Sequence, residues 1–147
     1  MLLARTSARS RASAGLLSAL SRQATPTRLS LGRCVAGSVM ALRPSLVPTS
    51  LGVDPVSAGR TAWAVQMLGA RDLALGVGTL VALRRGDTRG ARVWLLAGLF
   101  SDAVDAVAVS AAIGRGTVRP APGAVTVATA VTAVAVGASA LGGDELR

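Results

Sequence analysis

The sequence predicts an all-α protein, a four-helix integral membrane bundle behind a disordered basic N-terminal tail. Three observations predict it. The 147-residue chain is 51% hydrophobic and only 16% charged, with a mean hydropathy of +0.54. After residue 28, apolar stretches of about twenty residues alternate with short polar joints, and about twenty is the length a helix needs to cross ~30 Å of hydrocarbon. All sixteen basic residues are Arg, set against seven acids, and all but Arg43, Arg71 and Arg147 lie in the first 33 residues or in the joints.

Residues 1–28 contain Arg5, Arg9, Arg11, Arg22 and Arg28, many Ser, Thr and Ala, and no acid; the first acid of the chain is Asp54. That composition fits a disordered basic tail, a mitochondrial targeting segment, or residues upstream of the true start. Gly15–Leu20 is too short an apolar run for a secretory signal.

The first apolar segment, about 29–46, is the weakest. Arg33 lies near its start and Arg43-Pro44 inside it. Proline lacks an amide donor and restricts the residue before it. The helix is expected to run to about Leu42 and break. An interfacial stretch then ends near Gly52-Val53-Asp54-Pro55.

The second span, 62–83, is interrupted by Gln66, Arg71 and Asp72, and the third, 93–113, by Asp102 and Asp105. The fourth, 121–141, has no charge, and a four-residue tail follows residue 143. Its Val and Thr would favour a strand in water. In lipid a lone strand leaves its backbone unpaired, so a helix is expected.

The joint with Arg84, Arg85, Arg89 and Arg92 is the most basic, which puts it on the cytoplasmic side together with both termini. Trp63 and Trp94 begin the second and third spans, where indoles anchor at the interface.

The composition excludes several functions. With no His there is no Ser-His-Asp or Cys-His relay, and Cys34 alone makes neither a disulfide nor a zinc site. Two Trp and one Phe give no base-stacking platform, and the arginines form no single basic face, so no nucleic acid partner is expected. No cofactor is expected either.

The candidate site is an intramembrane charge cluster of Arg71, Asp72, Asp102 and Asp105, with Arg33 and Arg43 as secondary candidates. Each such charge costs roughly 2.5–3.5 kcal/mol on insertion scales. Arg71 lies 12 residues before Leu83 and Asp105 lies 12 after Val93. Both are therefore about 18 Å from the same side of two antiparallel neighbours. An Arg71–Asp105 pair is expected, with Asp102 supporting it and Asp72 facing the first helix. Asp102 and Asp105, three apart, share a face. With Asp72 they would suit a hard cation such as Mg²⁺, but Arg71 competes for the same oxygens, and no metal is expected. The rows Ala70, Ala74, Gly78, Ala82 and Ala97, Ser101, Asp105 have the spacing of close helix packing.

The run Gly69-Ala70-Arg71-Asp72-Leu73-Ala74-Leu75-Gly76 is the most specific segment. With Leu31-Gly32-Arg33-x3-Gly37, Pro44, Leu51-Gly52-Val53-Asp54 and Asp102-x2-Asp105, it resembles small four-span membrane proteins of high-GC actinobacteria. These are catalogued as a domain of unknown function. The likeness covers about residues 29–141 and is more distantly similar to DoxX-type four-helix membrane proteins. It implies a four-helix integral membrane protein with no established activity. A multi-pass protein of the bacterial plasma membrane is expected, with the mitochondrial inner membrane, from the arginine-rich start, as the alternative. The expected role is a non-catalytic scaffold or accessory subunit, not an enzyme. Its partners would be the lipid bilayer and a second copy or another membrane protein; a small-molecule ligand is left unknown. The alternative is a proton- or ion-linked transporter using the buried carboxylates.

Overall fold

The computed structural model describes residues 26–142, and these are helical throughout apart from joints. The helices are α1 (Pro26–Leu42), α2 (Leu46–Ser50), α3 (Pro55–Arg60), α4 (Ala62–Arg84), α5 (Thr88–Gly114) and α6 (Pro120–Gly142). Of these α4, α5 and α6 are long and apolar enough to cross a membrane. The expected tail lies outside the described residues, except that residues 26–28 form the first turn of α1.

Proline opens α1, α3 and α6, where its missing N–H would have had no partner. The α1 helix stops at Leu42, before Arg43-Pro44, as the restriction on a residue preceding proline requires. Gly52 takes φ +88° in the turn that follows α2, a left-handed conformation glycine adopts without strain.

Asp54 caps α3, accepting from the N–H groups of Val56 (3.1 Å) and Ser57 (3.0 Å). Hydrogen bonds from Ser57, and then from Val56, hold its carboxyl below the usual carboxylate range. A lowered folded value adds stability that is complete above the unfolded value of about 3.9. It is lost as pH falls through the folded one. Hydrogen exchange checks this: corrected protection of the Val56 and Ser57 amides should drop on acidification. In Asp54→Ala it should already be low at pH 7 and stay there.

The valines and threonines of α6 form a helix, as its backbone requires in the absence of a partner strand. The hydroxyls of Thr126, Thr129 and Thr132 donate to carbonyls one turn back in the same helix, at 3.2, 2.9 and 2.7 Å. Its polar side chains therefore satisfy themselves locally.

Packing divides the bundle into two helix pairs. The first is α1 on α4, the second α5 on α6, and α4 also meets α5. The α1–α4 approach is the closest. A Cβ on Gly37 would stand 2.7 Å from the Gly69 carbonyl oxygen and 2.8 Å from the Leu73 nitrogen. Gly76 meets Cys34 and Ser30 in the same way. The tightest seam therefore uses Gly37, Gly69 and Gly76, and not the Ala70–Ala74–Gly78–Ala82 row. In that row Ala70 and Ala74 are exposed, Gly78 lies under the Trp94 ring, and Ala82 joins a small core with Ala91 and Leu95.

Leu29, Leu83 and Leu141 surround that core, and Arg92 donates to the Leu141 carbonyl at 2.8 Å. The start of α1, the α4–α5 turn and the end of α6 thus share one end of the bundle. At the other end the Arg119 N–H donates to the Leu51 carbonyl at 3.1 Å.

Side-chain size is inverted relative to a water-soluble domain. The buried positions are mostly Gly and Ala, while Leu42, Phe100, Val107 and Met67 are 78, 72, 70 and 65% exposed.

Candidate functional site

The α1, α4 and α5 helices bring five charges into one layer. Counted from the joint end, Arg33 lies nine residues before Leu42, Asp72 ten after Ala62, and Arg71 nine after it. Asp105 and Asp102 lie nine and twelve before Gly114. At ~1.5 Å per residue all five fall within about one turn of the same depth.

The charges alternate in sign. Asp102 pairs with Arg33 Nη2. Arg33 Nη1 stands 3.8 Å from Asp72 Oδ1. The same oxygen is 3.2 Å from Arg71 Nη2. Arg71 then grips Asp105 with both ends of its fork, at 2.7 Å (Nη2 to Oδ2) and 3.3 Å (Nη1 to Oδ1). A planar guanidinium suits such two-point contact.

Local sequence explains the geometry. Gly98 lies one turn from Asp102, and a Cβ there would stand 2.9 Å from Arg33 Nη2. The missing side chain gives Arg33 its passage from α1 to α5. Gly69, Asp72 and Gly76 share the face of α4 that abuts α1. The arginine fork of residue 71 turns the other way, toward α5.

The Arg33 and Asp102 side chains are 10% and 13% exposed, while those of Arg71 and Asp105 are 31% and 37%. One end of the array is therefore sealed and the other opens at the α4–α5 edge. Every buried side-chain polar atom among the described residues has a hydrogen-bond partner.

The structure brings together Arg71 with Asp105, and Asp72 with α1. It corrects two expectations. Asp102 does not support the Arg71–Asp105 pair, because Arg33 crosses Gly98 and takes it. Arg43 lies outside the array, exposed just past the end of α1, where its N–H bonds to the Val39 carbonyl. Arg33 is central and not secondary; its depth, matched to that of Asp72, was the available signal. Among the described residues no three His, Cys, Asp or Glu side chains converge as a metal-binding group.

An all-helical fold with membrane-length helices and a layer of paired charges defines the class. The chain belongs to the family described as a domain of unknown function, DUF4267, which matches residues 30–140. The match takes in most of each long helix and the whole array. No curated protein and no solved structure matches the chain.

Proposed function

We propose that the chain is a four-helix integral membrane protein acting as a small non-catalytic scaffold or accessory subunit. In this reading α1 is the fourth crossing. It is 17 residues long, or about 25 Å, and its one mid-helix charge is covered by Asp102. The α4–α5 end, with Arg84, Arg85, Arg89 and Arg92, faces the cytoplasm together with both termini. The arginine-only basic complement suits a GC-rich coding sequence, and the membrane proposed is the bacterial plasma membrane.

One observation carries the reading: large apolar side chains point outward while the charges are spent on one another inside. Exposed apolar surface on that scale marks contact with lipid or with another membrane protein. Paired, hydrogen-bonded charges set helix register.

Native mass spectrometry from mild detergent tests it. The expected result is a stoichiometric assembly with a second copy or another membrane protein. The second reading, a proton- or ion-linked transporter, draws on the half-open Arg71–Asp105 end. A monomer whose flux in proteoliposomes is abolished by Asp105→Asn would replace the scaffold with that reading.

A further inference from the structure

The array holds three carboxylates, Asp72, Asp102 and Asp105, and two guanidiniums, Arg33 and Arg71. Fully ionised, it has one negative charge too many. The chain has no Lys or His to balance it. The α6 helix contributes no ionisable group at all. On α1 the nearest other charge, Arg28, lies a turn and a half toward the bundle end, and Cys34 faces Gly76. On α4 the Gln66 amide is engaged with the Ala41 carbonyl. On α5 Ser101 is the remaining polar neighbour.

A net charge in hydrocarbon costs far more than a neutral network. Carboxylates close together resist ionising simultaneously. We propose that the array is a proton-binding site, holding one exchangeable proton per chain at neutral pH. The proton converts one carboxylate to a carboxylic acid and leaves two negative against two positive groups. It belongs to the coupled array and not to one oxygen. The inference rests on the membrane reading above, since in water all three carboxylates would ionise.

The test is infrared spectroscopy of the protein in phospholipid vesicles, reading the C=O stretch of protonated carboxyl groups. The comparison is made in a background with Asp54, Asp87, Asp144 and Glu145 replaced by their amides, so that the band read belongs to the array. The wild type should show a band of one carboxyl per chain, which disappears on strong alkalinisation. Asp72→Asn, which balances the array at two against two, should abolish it. Arg71→Gln, which leaves three carboxylates to one guanidinium, should double it. Absence of the band in the wild type overturns the proposal without reference to any variant, as does its persistence in Asp72→Asn. Flotation of the same vesicles separates the two readings. Protein that fails to float defeats membrane insertion, whereas protein that floats without the band defeats the proton site alone.

Discussion

Replacing Arg33 by Ala is expected to destabilise the bundle by about 3–5 kcal/mol, the typical effect of removing one partner of a buried ion pair. The reason is what remains. Asp102 is left buried on α5, and its neighbour across Gly98 becomes a hole. The partial link from α1 to Asp72 is lost as well. Unfolding in detergent, followed by loss of helix signal, measures the effect. Arg33→Ala combined with Asp102→Ala should recover much of the loss, because the carboxylate that Arg33 covered is removed with it and the array returns to its original charge balance. An additive double mutant would show that the two side chains do not act as a pair.

Gly37→Val should be the other severe change. Its Cβ would meet the Gly69 carbonyl oxygen and the Leu73 nitrogen at 2.7 and 2.8 Å, and both are backbone atoms. Neither can rotate away, so α1 must lift from α4. Overpacking of this kind typically costs about 1–3 kcal/mol. The lift would also strain the Arg33–Asp102 contact four residues away. Gly32→Ala is the contrast. Nothing lies within 4 Å of its Cβ position, and alanine should gain roughly 0.5–1 kcal/mol in the helix. Thermal unfolding of the two variants should move in opposite directions.

The helices and one ion pair were legible because they follow from local rules. Apolar run lengths, with Pro44 and Pro55, delimit the elements. A short α4–α5 joint fixes antiparallel register, so counting places Arg71 opposite Asp105. The partner of Asp102 was not legible in the same way. The level of α1 depends on a long joint containing two short helices, and the passage over Gly98 depends on which faces meet. The α1–α4 seam was legible on one side: Asp72, expected to face the first helix, shares its face with Gly69 and Gly76, whereas Gly37, the partner of Gly69, was not singled out as a contact. Gly69 and Gly76 are seven apart, and in an Ala-rich chain several rows of small residues compete. Only the orientation demanded by Arg33 and Asp72 selects among them.

The glycine contact between α1 and α4 also constrains traffic. Two backbones held with a carbonyl oxygen 2.7 Å from the nearest position a methyl could occupy leave no gap for a water molecule, let alone a solute. Any permeant would have to pass elsewhere, and the exposed edge of the array is the Arg71–Asp105 pair between α4 and α5. The first pair of helices is then a closed wall.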